Sequence, residues 1–366
     1  MSCNRIVFAV AVLLAAVPAT AARRRSVAAP SQYPRCAMIT GTGAVSFTHD
    51  RGETLAPSAV PLRPISYTYG LTSLIDAPET LAAWSGNDLL LSTDGGCSWR
   101  VEATVTGADF PPRLTPARGG RLYAWSDNRN FLVRWDARGA SRLKPPADVV
   151  GLGVDAANAD HLRIGGSDGT LWESTDGGES WSQLNGLRSA AIYYRFTFDP
   201  QNLDHIVAGV TTSGAYVTRD AGRNWTRATG IASRDANVFE LVFAPSNPER
   251  VWIMGIDLAE SDANVPSHGR HIYQSDDGGA TYAIVVDEAP GVKLVNQPIM
   301  AADPWNPDVL YFVFGTYFQG YGTDLFRYDA ARDELTMTHN EHDDVNAIAF
   351  SRTDRTLLYL GFEEVQ

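Results

Sequence analysis

The octapeptide Ser174-Thr175-Asp176-Gly177-Gly178-Glu179-Ser180-Trp181 decides the fold, because three other stretches follow the same pattern. They are Ser92-Thr93-Asp94-Gly95-Gly96-Cys97-Ser98-Trp99, Thr218-Arg219-Asp220-Ala221-Gly222-Arg223-Asn224-Trp225 and Ser275-Asp276-Asp277-Gly278-Gly279-Ala280-Thr281-Tyr282. Such self-similarity marks a repeat architecture, in which each unit buries its apolar face against the next. Each copy follows a short apolar run, such as Leu89-Leu90-Leu91, and precedes another strand-like segment. The pattern Ser/Thr-x-Asp-x-Gly-x-x-aromatic therefore belongs in the turn of a β-hairpin. There the Asp carboxylate accepts hydrogen bonds from turn N–H groups. Gly supplies the positive φ of a tight turn, and the aromatic ring packs on a neighbouring strand. Asp94, Trp99, Asp176, Trp181, Asp220, Trp225, Asp277 and Tyr282 are thus expected to staple the fold and not to hold a ligand.

A second signal precedes these turns. Phe198-Asp199-Pro200-Gln201-Asn202-Leu203-Asp204-His205-Ile206 recurs in altered form from Val154, Phe243, Ala302 and Phe350, each copy reading as strand, Pro/Asn/Asp turn, strand. One repeat is then strand, turn, strand, loop, strand, box, strand, which is a four-stranded propeller blade. Degenerate boxes at Thr48–Leu55, Leu132–Gly139 and Leu325–Asp329 fill the gaps. The Asp positions become 50, 94, 136, 176, 220, 277 and 329. The fold class read from this spacing is all-β, a single seven-bladed β-propeller of four-stranded antiparallel blades, with six or eight blades as alternatives. The chain stops after the second strand of a blade, and the segment around Ala44-Val45-Ser46-Phe47 offers the missing third strand with its box at Asp50. The last blade is expected to close with strands from both ends, which removes open sheet edges.

The repeated octapeptide resembles the Asp-box, or BNR repeat, of β-propellers. Proteins built this way include sialidases, xyloglucan-cleaving glycosidases, the luminal domain of sortilin and the photosystem II assembly factor. The similarity lies at the level of the repeat, and no single member is matched. Sortilin and the assembly factor imply a protein or peptide ligand. Sialidases carry a Phe/Tyr-Arg-Ile-Pro element, which this sequence lacks; Tyr33-Pro34-Arg35 does not supply it. A xyloglucanase-like enzyme needs two carboxylates flanking a cleft, and those enzymes normally use two propellers where this chain has one.

The ends and the composition bound the setting. Ile6–Val17 is an apolar run after Arg5, and Ala19-Thr20-Ala21 is a small-residue cleavage signature. Residues 1–21 read as a secretory signal peptide, too short in its apolar run to anchor in a membrane. Residues 22–35 read as a flexible leader and 36–366 as the propeller. The expected location is secreted or periplasmic, where disulfides persist. Cys36 and Cys97 remain after cleavage; they pair if their Cα atoms lie within about 7 Å, and are otherwise two thiols. The formal charge of −12, from 42 acidic and 30 basic residues, argues against a nucleic-acid partner. No cofactor and no metal are expected, and the chain has no Cys/His array with zinc spacing.

The ligand is expected on the loop face opposite the boxes, since function gathers on such loops. Two long second-to-third-strand loops run from Gly255 to Arg270 and from Gly315 to Thr323. Tyr317, Phe318 and Tyr321 of the second offer rings to a sugar or an extended peptide, or else cover the apolar end of the ring. Tyr194 and Arg195 enter an innermost strand, and His342 lies in the run His339 to Asp344, which offers imidazole and carboxylate to a metal or else is a solvated turn, the reading preferred here. The leading expectation is a non-catalytic binding or assembly propeller for a protein, peptide or glycan. The alternatives are a glycosidase, whose only nameable carboxylates are Asp257, Asp262, Asp343 and Asp344, and an extracellular structural or adhesion module.

Overall fold

The computed structural model describes residues 45–48, 56–57, 68, 70–96, 98–107, 112–127, 129–187, 192–231, 235–294, 299–315, 323–340 and 343–364. All lie in one compact unit, Ser31–Gln366. The expected signal peptide and leader, Cys36, Asp50, Cys97, Tyr317, Phe318, Tyr321 and His342 lie outside the described residues.

The chain begins with β1 (Val45–Thr48) and β2 (Ala56–Pro57). Blade 1 follows as β3 (Gly70–Ser73), β4 (Leu81–Ser85), β5 (Asp88–Ser92) and β6 (Arg100–Thr104). Blade 2 is β7 (Arg113–Ala117), β8 (Arg121–Trp125), β9 (Leu132–Asp136) and β10 (Gly139–Leu143). Blade 3 is β11 (Val149–Val154), β12 (Leu162–Gly166), β13 (Leu171–Ser174) and β14 (Ser182–Leu184). Blade 4 is β15 (Tyr193–Asp199), β16 (Asn202–Val210), β17 (Gly214–Thr218) and β18 (Thr226–Arg227). Blade 5 is β19 (Ala236–Ala244), β20 (Asn247–Asp257), β21 (Arg270–Ser275) and β22 (Ala283–Asp287), with α1 (Leu258–Asp262) between β20 and β21. Blade 6 is β23 (Met300–Ala302), β24 (Val309–Gly315), β25 (Thr323–Asp329) and β26 (Glu334–Asn340).

These six blades are antiparallel and continuous in sequence. A further four-stranded sheet joins the chain ends in the order β2-β1-β28-β27, where β27 is Asp343–Phe350 and β28 is Leu358–Glu364. Val45 faces Gly361 and Thr48 faces Leu358 in its central pairing. The innermost strands touch in order around the axis, and β27 returns to β3. The protein is an all-β propeller of four-stranded antiparallel blades.

The core sits in the seams between blades. One apolar cluster joins Leu71, Leu81 and Leu90 of blade 1 to Tyr359 of β28 and to Leu357 just before it. Another joins Trp84 and Leu89 to Leu122 and Val133 of blade 2, and every later seam holds a cluster of its own. Trp84, Tyr123, Trp252, Tyr273, Phe312 and Tyr359 are among the largest fully buried side chains. Burying one such side chain contributes about 2–3 kcal/mol. Arginines on one blade also reach the turns of the next. Arg163 Nη1 meets Asp204 Oδ1 at 2.6 Å, Arg219 Nη2 meets Glu249 Oε2 at 2.5 Å, and Arg250 Nη2 meets Asp308 Oδ1 at 2.9 Å.

The boxes occupy the turn between the third and fourth strands. Asp176 Oδ1 accepts from Ser180 N (2.9 Å) and Ser174 Oγ (2.8 Å), and Asp176 Oδ2 accepts from Ser180 Oγ (2.5 Å). Trp181 Nε1 closes the turn on the Gly178 carbonyl at 3.1 Å. Asp94, Asp220 and Asp277 accept the same set of bonds. At Asp136 the degenerate box is a tight hairpin instead: its carboxylate takes the Arg138 N–H at 2.9 Å and pairs with the Arg138 guanidinium.

Candidate functional site

Antiparallel order puts the box turns and the Asp-Pro turns at one end of every blade, and the second-to-third-strand loops at the other. At the loop end, side chains from three innermost strands converge on the axis. Arg113 opens β7, Arg195 lies on β15 and Glu240 on β19, while Asp127 follows β8. Arg113 donates from Nε to Asp127 Oδ2 and from Nη2 to Glu240 Oε2, both at 2.9 Å. Arg195 donates to Asp127 Oδ1 at 2.5 Å and to Glu240 Oε2 at 2.9 Å. Two cations and two anions thus form a closed square across blades 2, 4 and 5. Both guanidiniums lie 5.8–5.9 Å from the Trp125 ring centroid. Burial alone would raise the Asp127 carboxyl, but the two arginines outweigh it and hold it at about 2. Desolvation likewise opposes the Arg113 charge and is overcome by Asp127 and Glu240, so that its pKa is pushed up.

Arg195, expected to meet a ligand, is therefore spent on this square, with 3 % of its surface exposed. Tyr194 lies on β15 beside it. Arg113, Asp127 and Glu240 were not singled out from sequence. The signal that could have found Glu240 is a lone charge within the apolar run Val238-Phe239-Glu240-Leu241-Val242.

The four candidate carboxylates do not come together as a described pair. Asp257 is buried and caps α1, accepting the N–H groups of Ala259 (2.9 Å) and Glu260 (3.2 Å) at Oδ1. Its capping role follows from its position: an Asp before a helix satisfies orphan first-turn donors. Asp262 ends the same helix and is exposed. Asp343 and Asp344 open β27, in register with Glu364 and Glu363 of β28. The long loop after β20 thus contains a short helix, held by Glu260 Oε2 to His271 Nε2 at 3.0 Å. His271 Nδ1 in turn meets Asp287 Oδ1 at 2.7 Å. His339, from the run read as a solvated turn, pairs across the hairpin with Asp324 at 2.5 Å. Among the described residues no cluster of His, Cys, Asp and Glu is arranged to hold a metal ion, and no helix is long and apolar enough to cross a membrane.

The box end of the axis is different. There a cavity of about 680 Å³ opens where the innermost strands run into their turns. Its walls include Pro116 of β7, Pro245 after β19, Pro304 and Trp305 after β23, and Phe350 and Arg352 at the end of β27. Trp305 is 39 % exposed, and the Arg355 guanidinium lies over its ring, 4.9 Å from the centroid. Arg352 donates from Nε to the Ser73 carbonyl at 3.1 Å; desolvation pulls its pKa down.

A ring of four-stranded blades whose turns carry Asp-boxes defines an Asp-box β-propeller. Residues 169–319 match the family model described as Sortilin, neurotensin receptor 3 (Sortilin-Vps10). Among solved structures, the GH74 xyloglucanase of Xanthomonas campestris superposes with a TM-score of 0.57 at 15 % identity, over 88 % of this chain and 54 % of that one. The chain thus spans about half the length of that enzyme. YCF48 bound to D1 peptide gives 0.52 at 15 % identity, over 75 % of this chain and 90 % of that one. Streptogramin B lyase gives 0.54 at 12 % identity, over 82 % and 94 %. At such identities these likenesses speak for the fold alone.

One likeness is much stronger. The chain is 47 % identical over 339 residues to the Dispase autolysis-inducing protein of Streptomyces mobaraensis, which covers 91 % of this chain and 90 % of that protein. The chain belongs to the family of the Dispase autolysis-inducing protein.

Proposed function

We propose that this chain is an exported, non-catalytic seven-bladed propeller that binds another protein, an enzyme whose self-digestion it promotes. The observation that carries this reading is the 47 % identity, extending over nine-tenths of both chains, to a protein named for inducing Dispase autolysis. The composite sheet of β27, β28, β1 and β2 counts as the seventh blade, since it has four strands like the others. Export is read from the N-terminal sequence. Binding in preference to glycoside cleavage is supported by Asp257, whose carboxylate is taken up by the helix cap, and by Asp262, which stands exposed on α1.

The test is to incubate the purified mature protein with Dispase and follow the intact enzyme on gels over time. Faster loss of Dispase at an unchanged mass of the propeller supports the reading. A Dispase half-life unaffected by excess propeller overturns it, as does release of reducing sugar from a polysaccharide panel by the propeller alone.

A further inference from the structure

The axial cavity at the box end has walls of unusual chemistry for a carbohydrate site. Pro116, Pro245 and Pro304 present no N–H. The hydroxyls in the lining already have partners: Thr72 Oγ1 donates to the Ser73 carbonyl (3.5 Å), and Ser73 Oγ donates to the Phe350 carbonyl (2.9 Å). Ser351 Oγ accepts the N–H groups of Thr353 (3.3 Å) and Asp354 (3.0 Å). What the cavity offers is apolar surface, one exposed indole and positive charge.

That charge has no close partner. Among the described residues neither Arg352 nor Arg355 has a carboxylate at ion-pair distance, although the chain as a whole carries −12. Asp76, the carboxylate facing Arg352 from blade 1, has Oδ2 committed to the Gly119 N–H at 2.5 Å and the Gly120 N–H at 3.3 Å. Many arginines of this molecule do meet a carboxylate directly, as in the square of Arg113, Asp127, Arg195 and Glu240. A guanidinium without a carboxylate partner at the wall of a cavity of mixed polar and apolar lining is an anion-binding group, and its planar fork fits a carboxylate. The cavity volume falls in the range of ligand sites.

We propose that this cavity docks an extended acidic segment of a partner protein, with an apolar side chain packed against Trp305 and the prolines and a carboxylate on Arg352. The proposal deepens the protein-binding reading by giving it a surface and a partner chemistry. It also moves the ligand from the loop face to the box end of the axis.

The probes are fluorescently labelled hexapeptides with blocked termini, carrying one phenylalanine and one glutamate at successive spacings. Each is paired with its glutamine counterpart, and binding is read by polarisation. At least one spacing should bind, with affinity falling about tenfold or more for glutamine in place of glutamate. Trp305→Ala and Arg352→Gln should weaken it by a similar factor, and Arg352→Lys should recover part of the loss. Thermal melts identify any variant that has merely unfolded, and exposed Trp305 should be replaceable without a change in melting. Absence of binding at every spacing overturns the proposal, as does binding indifferent to Trp305 and Arg352. So does dimerisation of the protein abolished by Trp305→Ala, or glycan binding abolished by it. Running the same variants against Dispase separates the two readings. A wild-type protein without effect on Dispase removes the proposed activity and leaves peptide binding to be judged alone; variants fully active on Dispase remove the cavity and leave the activity.

Discussion

Replacing Glu240 by Gln perturbs the four-charge square at its most buried member. The Glu240 side chain is 3 % exposed and receives one guanidinium N–H from each of Arg113 and Arg195, both at 2.9 Å. Gln preserves the shape and removes the charge, so that two cations face the single anion Asp127. Breaking a buried pair by removing one partner costs about 3–5 kcal/mol. The Gln carbonyl still accepts one bond worth about 1 kcal/mol, and Arg113, 36 % exposed, retains solvent screening. The expected loss is about 2–3 kcal/mol. With an unfolding entropy of about 2 cal/mol/K per residue and roughly 300 ordered residues, that lowers Tm by about 4 °C. The assay is scanning calorimetry of wild type, Glu240→Gln, Arg195→Gln and the double variant. The double variant leaves Arg113 and Asp127 as a neutral pair, so it should cost less than the two single losses added, by at least about 1 kcal/mol. Strict additivity, or a Glu240→Gln protein as stable as wild type, refutes the idea that the square acts as one unit.

Three other outcomes are expected. Ala221 holds φ at 59° in a box where the other copies have Gly; Ala221→Gly should stabilise by about 0.5–1 kcal/mol in urea melts, and a loss of stability would refute the strain argument. A Cβ at Gly151 would stand 2.0 Å from the Phe196 carbonyl oxygen, so Gly151→Ala should cost about 3 kcal/mol by forcing β11 from β15, read by the same melts. Four carboxyls are held at about 2: Asp176 by the Ser180 hydroxyl, Asp220 by the Asn224 N–H, Asp136 by Arg138, and Asp127 by two arginines against its own burial. Depressed folded-state values stabilise above the unfolded pKa of about 3.9 and lose that contribution as protons bind. The urea midpoint should therefore fall between about pH 4 and pH 2, and a flat profile there would contradict the assignment.

The boxes were legible because their hydrogen bonds are local. Ser174, Asp176 and Ser180 satisfy one another within a single turn, so the pattern survives in the linear sequence. The pairing of β1 with β28 was legible for a related reason: a blade that stops after two strands needs the other two from elsewhere. The four-charge square was not, since Arg113, Asp127, Arg195 and Glu240 meet only once three innermost strands surround one axis. In sequence Arg195 reads as a residue of a loop entering a strand, and its neighbours across the ring bury it. The cavity was missed for the same reason, with Trp305 and Arg352 contributed by turns read only as punctuation. Helix α1 is five residues long, too short for a helical period to show.

The sheet that joins the chain ends governs how the molecule can form. Ser73 Oγ bonds to the Phe350 carbonyl, and Ser46 pairs with Leu360, contacts between residues near opposite ends of the described chain. Loop-closure entropy must be met before such contacts repay it. Blades 1 to 6 can assemble one against the next as an open arc while the chain is still being made, but the arc keeps two raw edges until its last strand arrives. Until then the apolar faces of the first and last blades stay uncovered, and removing β28 would leave the ring without the strand that ties its two ends together.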